Sequence, residues 1–303
     1  PGSGSDLAGA TTKAVMVGNK WVVNGQKVWT TSAHKAHWGL LLARTDMDAT
    51  KHDGLSYFII DMKQPGIETQ PLKQMNGYAS FNQVFLTDAE VLPDFQVAEL
   101  GDGWKVATTT LMHERRAADS LRAWGQVPDN EGPIYDQERA EIETTMAPYK
   151  WYPQRAGRVD LIMERAKETG AIKDPAIRQE IAKLMTLHKS AEWTARRARS
   201  AQEQGKPQGP EGSLGKLAAS NVARTAAKVH TMISGANSML SGEDSPENGT
   251  VSEVLISFPA SSIAGGTDEI QKNIISERVL DMPKETRFDA GKPFKDIPRN
   301  TIS

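Results

Sequence analysis

Lys20-Trp21-Val22-Val23-Asn24-Gly25-Gln26-Lys27-Val28-Trp29-Thr30 decides how the first third of this chain reads. Apolar residues flank its centre on both sides, and an Asn-Gly pair between such runs is the strongest short-range signal for a β-hairpin. Upstream, Thr12-Lys13-Ala14-Val15-Met16-Val17 leads into it through Gly18-Asn19. Downstream come further runs, from Trp38 to Arg44, Leu55 to Met62, Ile67 to Leu72 and Gln83 to Leu86. They are short, closely spaced and punctuated by Gly, Pro, Asn and Asp, so residues 11 to about 92 predict a barrel or sandwich. Pro93 and the Gly101-Asp102-Gly103 turn close this region.

Beyond it the period changes. Trp104, Ala107, Leu111, Glu114, Ala118 and Leu121 recur every three or four residues, the spacing of a helix face. A second helix is predicted from Ile177, Ile181, Leu184 and His188, starting after Asp174-Pro175, where a first-turn proline is well tolerated. Leu214, Leu217, Val222, Thr225, Val229, Met232 and Ile233 predict a third, and Ile270, Ile274, Ile275 and Val279 a last one before Pro283. Four prolines interrupt the segment from Arg122 to Gly170, and the tail from Lys284 is polar and reads as extended. The expected architecture is α+β and multidomain. A β-barrel or sandwich fills residues 1–98, and an antiparallel helical bundle fills 99–303 with an insert at about 122–170.

The 303 residues can bury a sizeable core and suffice for two domains. A net charge of −2 without single-sign blocks favours neither nucleic acid nor a membrane surface as partner. The chain has no cysteine, which removes disulfides, thiolate nucleophiles and Cys-bound metals, and fits a reducing cytoplasm. Its apolar runs fall well short of the roughly 20 residues a spanning helix needs. The six histidines show no metal-ligand spacing.

Three groups of residues could carry chemistry. Glu114 falls on the apolar stripe of the first helix. Periodicity alone leaves two readings open: an edge carboxylate paired with Arg115 or His113, or a partly desolvated acid suited to take a proton near neutral pH. Trp29 and Thr31, two apart on a strand, share a face; by themselves they read equally as a tryptophan covering the barrel edge. Ala264-Gly265-Gly266-Thr267-Asp268-Glu269-Ile270-Gln271 reads alone as a loop with Thr267 capping the helix that follows.

Taken in order, Pro1-Gly2-Ser3-Gly4-Ser5-Asp6, Trp29-Thr30-Thr31-Ser32-Ala33 and Ala264–Gln271 make the chain resemble the acyl-CoA dehydrogenases nearly end to end. The resemblance implies FAD as cofactor, an acyl-CoA thioester as substrate and an electron-transferring flavoprotein as acceptor. It places Trp29, Thr30 and Thr31 against the flavin ring, and Gly235, Thr267 and Glu269 at the rest of the cofactor. Ser5 and Arg115 would lie along the acyl-CoA. Most members hold the catalytic base in a Tyr-Glu-Gly-Thr segment, whereas this chain has Ala264-Gly265-Gly266-Thr267. A minority carry the base on the first helix of the C-terminal domain, one residue before an arginine, where Glu114-Arg115 stands. The resemblance therefore implies Glu114 as base, and Gly265 as the backbone N–H donor that polarises the thioester carbonyl.

The chain also departs from the family. Thr231-Met232-Ile233-Ser234-Gly235-Ala236-Asn237 stands where a Gln followed by two glycines is usual. No Arg-x-x-Phe-Gly segment precedes the second helix, where Arg178 is the nearest candidate for the pyrophosphate. These departures keep open a non-catalytic subunit of a heteromeric dehydrogenase, and an oxygen-using relative of the same fold is a second alternative. The family's N-terminal helical domain is not in the sequence, so a longer protein is expected, a dimer or tetramer of like or unlike subunits in a bacterial cytoplasm.

Overall fold

The computed structural model describes residues 2–124, 130–146, 153–206, 209 and 211–298; for 115–124, 143–146, 153 and 211 it describes the backbone alone. The chain forms two compact units, residues 1–150 with 286–303, and residues 151–285.

The first unit carries seven strands: β1 (Lys13–Val17), β2 (Lys20–Thr31), β3 (Trp38–Arg44), β4 (Leu55–Asp61), β5 (Ile67–Leu72), β6 (Phe81–Val91) and β7 (Gln96–Val97). They form one sheet in the order β5-β6-β2-β1-β3-β4-β7, antiparallel except where β1 meets β3. Trp21 and Val23 of β2, Leu41 and Ala43 of β3, Phe58 and Ile60 of β4, and Val84 and Leu86 of β6 share one buried cluster. The rings of Trp21 and Phe58, from non-adjacent strands, lie 5.5 Å apart. The sheet therefore curls around its own core, as expected of a barrel-like domain.

Asn24-Gly25 is not a hairpin turn. β2 runs straight through it, and the hairpin closes at Gly18-Asn19, where Val17 pairs with Lys20. The pair marks a bulge instead. Val23 faces Ala89 and Gly25 faces Leu86, so Asn24 alone stands opposite Thr87 and Asp88. Asn24 Nδ2 donates to Asp88 Oδ1 at 2.9 Å, and Asp88 N–H returns to Asn24 Oδ1 at 3.0 Å. Asp88 takes a φ of 51° to make room for the extra residue. Gly25 is required because a Cβ there would sit 2.8 Å from the Thr12 Cα.

Helices α1 (Gly103–Trp124) and α2 (Pro133–Met146) follow within this unit. α1 docks on the sheet through its first turns. Ala107 is buried with Leu42, Leu55 and Tyr57, and Gly103 lies so close that a Cβ would meet the Leu55 and Ser56 backbone at 2.6 Å. The tail is tied down rather than free. Phe294 is buried, its ring 3.3 Å below the Arg44 guanidinium, and its N–H donates to Ala49 O at 2.9 Å.

The second unit holds α3 (Val159–Glu168), α4 (Pro175–Glu203), α5 (Glu211–Ser234), α6 (Thr250–Ser257), α7 (Pro259–Ile263) and α8 (Asp268–Arg278). Asp174 caps α4 by accepting from the Ala176 and Ile177 N–H groups, with Pro175 at the first helical position. Ile177, Ile181 and Leu184 from the first half of α4 pack on Val222, Ala226, Val229 and Ile233 from the second half of α5, so the two run antiparallel. α3, within the stretch read from sequence as an insert, adds Ile162 and Ala166 to the same core.

Candidate active site

The corner at the end of β2 is the most unusual backbone in the first unit. Lys27 pairs with Val84 and Thr30 with Asn82, so Val28 and Trp29 together stand opposite Gln83. At this second bulge Trp29 adopts a φ of 62°, and Ser32 follows at 53°. Positive φ is costly for residues with a Cβ, and persists only where the surroundings enforce it. The result is a tryptophan aimed outward. Trp29 is 62% exposed, with its ring edge-on to Phe81 at 5.8 Å. Thr30 is half-buried and Thr31 exposed. Apart from the edge contact with Phe81, most of the indole is left open to solvent on strained backbone. An exposed indole face beside an outward hydroxyl suits a flat, polar-edged ring such as a flavin, so the residues present fit that group.

Below the corner, β1 has ended and cannot join β2 to β3. Lys27 bridges the gap, its Nζ donating to Leu42 O at 2.7 Å. Burial pushes this amine down to about 8. Neither Lys27 nor Asn82 was singled out by sequence, since no local pattern announces a bridge to residues 15 and 52 positions away.

The other candidates of this unit are simply placed. Ser5 is exposed just before a short helical turn at Leu7–Gly9. Glu114 is exposed as well, which is the edge position and corrects the reading of a partly desolvated carboxylate pointed at the core. Gly103 and Ala107 in the first turns of α1 are buried against the sheet, and Glu114 lies beyond that contact. Arg115 follows it in α1, but its side chain lies outside the described residues.

In the second unit Gly265 and Gly266 carry φ values of 69° and 92°, forming a turn that glycine adopts readily. Gln271, buried in α8, donates from Nε2 to Gly265 O at 3.3 Å and Gly266 O at 3.4 Å. Across a planar trans peptide the N–H points opposite the carbonyl, so the Gly266 and Thr267 N–H groups face away from Gln271. Thr267 Oγ1 accepts from the Ile270 N–H, the capping role anticipated for it. Asp268 is buried beside Lys216 and Arg224 of α5, with Arg224 donating to it at 3.0 Å. Burial opposes its ionisation, but hydroxyls of Ser220 and Ser262 and the two cations outweigh that and hold its pKa below the ordinary carboxylate value. Glu269 and Arg178 are exposed, as is Gly235, which ends α5 with a φ of 54° and open space around it. Met232 is half-buried and packs on the helical core.

A buried polar cluster holds the end of α5. Arg165 Nη1 donates to His230 Nδ1 at 2.9 Å, its Nη2 to Ser234 Oγ at 2.6 Å, and its Nε faces Glu247 Oε1 at 3.2 Å. Because arginine only donates, His230 Nδ1 is the acceptor. Its Nε2–H is then shared by Gly157 O and Arg158 O, each at 3.1 Å. His230 is thus buried neutral. Burial comes first in lowering its pKa, the Arg165 charge adds to it, and backbone acceptors with Asp160 oppose. Its folded value lies below 6.5, so the unfolded chain binds the extra proton first. Stability is therefore full above the unfolded value of 6.5 and should fall as pH drops below it. Unfolding midpoints measured across that range, with His230→Gln as control, should show the variant losing less than the parent.

Comparison with known proteins gives this arrangement its context. Residues 1–89 match the family model for the acyl-CoA dehydrogenase middle domain, and residues 155–280 match that for the C-terminal domain. Acyl-CoA dehydrogenase IpdE1 of Mycobacterium tuberculosis is 33% identical over 293 residues, covering 95% of this chain and 66% of the relative. IpdE1 of Mycolicibacterium smegmatis is 32% identical over 300 residues, covering 95% of this chain and 67% of the relative. The chain belongs to the acyl-CoA dehydrogenase family. The family is flavin-dependent. Among solved structures, the Tcur3481-Tcur3483 steroid ACAD superposes with a TM-score of 0.71 over 94% of this chain and 67% of that one, at 22% identity, which shows a shared fold. The chain spans about two thirds of the length of the IpdE1 relatives. Among the described residues no helix is long and apolar enough to cross a membrane.

Proposed function

We propose that the whole protein is an FAD-dependent acyl-CoA dehydrogenase that introduces an α,β double bond into a fatty-acyl or sterol side-chain thioester and hands the electrons to an electron-transferring flavoprotein. The observation that carries this reading is the Trp29–Ser32 corner, where strained backbone presents an indole and a hydroxyl outward in a member of a flavin-dependent family. Bound there, the flavin supplies the acceptor for a hydride from the substrate β-carbon. The chain's own residues do the rest. Trp29, Thr30 and Thr31 hold and orient the ring, while Gly235, Thr267, Glu269 and Arg178 serve the remainder of the cofactor. Ser5 and Arg115 line the thioester. Glu114 accepts the α-proton, and the Gly265 N–H donates to the thioester carbonyl, where negative charge grows as that proton leaves.

Two observations favour this division of labour. Gly265 stands at the family's usual carboxylate position with a φ of 69°, a turn that suits glycine and not a side chain. Glu114 is exposed and so accessible to a ligand laid over α1. The subunits assemble as a homo- or hetero-oligomer in a bacterial cytoplasm. The test is to add candidate thioesters, fatty-acyl and steroidal, to the full-length flavoprotein without oxygen and follow the flavin band. Bleaching by one class identifies the substrate. A protein that takes up no flavin sinks the reading in favour of a non-catalytic subunit, and peroxide formed without another acceptor points to an oxidase.

A further inference from the structure

We propose that Asn82, with Ser80 and Phe81 just before it, is the positioning residue that seats Trp29 and Thr31 for the flavin ring; this rests on the function proposed above.

The Asn82 side chain is fully buried, and its orientation follows from its neighbours. Thr30 O can only accept, so the amide NH2 must face it, and Nδ2 donates there at 3.0 Å. The amide oxygen then faces His34 Nδ1 at 3.1 Å, which must carry the proton. One side chain thus joins the last turn of the bulge to the loop that follows it. Its neighbours complete the grip, since Ser32 N–H donates to Ser80 O at 3.0 Å and Phe81 stands edge-on to the Trp29 ring. Three consecutive residues leading into β6 therefore hold one carbonyl, one N–H and one ring of the corner.

The backbone makes that grip necessary. Trp29 and Ser32 both sit at positive φ, on either side of the carbonyl that Asn82 holds. Such conformations are costly for residues with a Cβ and persist only where the surroundings enforce them. Released, the corner relaxes toward ordinary strand geometry, where a residue's side chain alternates face with each step. Holding Thr30 O inward also turns the Thr31 N–H outward, since the two are opposed across a trans peptide. Asn82 so sets which groups the corner offers to a ring laid on it, without touching that ring.

The test uses the full-length holoprotein. Asn82→Asp keeps the size but places a carboxylate oxygen against Thr30 O, and Asn82→Ser loses the reach while adding no charge. Val84→Ala, a core truncation on the same strand, supplies a matched loss of stability while leaving the Thr30 and His34 contacts of Asn82 in place. FAD affinity, flavin emission (quenched by an indole against the ring) and the flavin midpoint potential are read for each. Both Asn82 variants should bind FAD at least tenfold more weakly than Val84→Ala at equal unfolding midpoint, with brighter flavin emission and a shifted potential. If Asn82→Asp fails to fold, Asn82→Ser decides alone. Affinity, emission and potential that match Val84→Ala would reduce Asn82 to a structural residue and overturn the inference alone. Wild-type protein that binds no FAD would overturn the function as well.

Discussion

Replacing Glu114 by Gln in the full-length flavoprotein should leave the flavin almost fully oxidised when a thioester is added. The amide keeps the size and shape of the acid but cannot take a proton. Positioned general bases contribute about 10²–10⁴-fold, so the rate of flavin reduction should fall by that factor. Thioester affinity should stay within a few-fold, because the loss concerns only the reacting state, and kcat and kcat/KM should therefore drop together. Stopped-flow reduction with a saturating thioester measures the first quantity, and displacement of the flavin spectrum on binding measures the second. The substitution costs little stability, since Glu114 is exposed and α1 is anchored elsewhere by Gly103 and Ala107. That separation makes the result readable. A reduction rate within threefold of the parent would remove Glu114 as the base and return the question to residues outside this pair of segments. Gly265 cannot replace it, because it brings a backbone N–H and no acid.

Much of this molecule was readable from local pattern. The strand runs, the α1, α4, α5 and α8 helices, and the Asp174-Pro175 cap all rest on signals contained within a few residues. So does the Thr267 cap, which the structure forms as the loop pattern requires. The misreadings are those where the deciding partner lies far along the chain. Asn24-Gly25 looks like a turn because its composition is that of one, but Asp88 on β6 converts it into a bulge. Glu114 follows the helical period faithfully, yet the period says nothing about how far the sheet extends beneath the helix. α3 was lost among prolines, although Ile162 and Ala166 are fully buried. The polar tail hid Phe294 because a single aromatic in such a segment carries no periodicity. Among the candidate residues of each unit the same division holds. Trp29, Thr31 and the Gly265–Thr267 turn stand out in sequence, whereas Asn82, Lys27 and Gln271, which hold their backbone in place, are visible only through the atoms they reach.

Arg165→Met should be the most damaging substitution in the helical unit. Methionine fills most of the volume but offers no donors, and three groups lose their partner at once. His230 Nδ1 and Ser234 Oγ are left inside, while Glu247, about a third exposed, can turn toward water. Removing one member of a buried charged cluster typically costs about 3–5 kcal/mol; the escape open to Glu247 puts the expected loss near the lower end. Urea unfolding of the full chain should show the midpoint shifted with its slope unchanged, the mark of lost stability rather than an altered denatured state. Arg165→Lys should recover part of the loss, because one ammonium keeps the charge but cannot reach His230, Ser234 and Glu247 together. The damage should also reach the cofactor. Gly235 follows the end of α5 at Ser234, so on the cofactor role proposed for Gly235 loosening Arg165 should lower FAD affinity together with stability. The pH dependence gives an independent check. With Arg165 gone, His230 loses the neighbouring charge that opposes its protonation, and the acid-side loss of stability should flatten. A destabilisation below about 1 kcal/mol, or an unchanged pH profile, would show that the cluster is not the clamp its geometry describes.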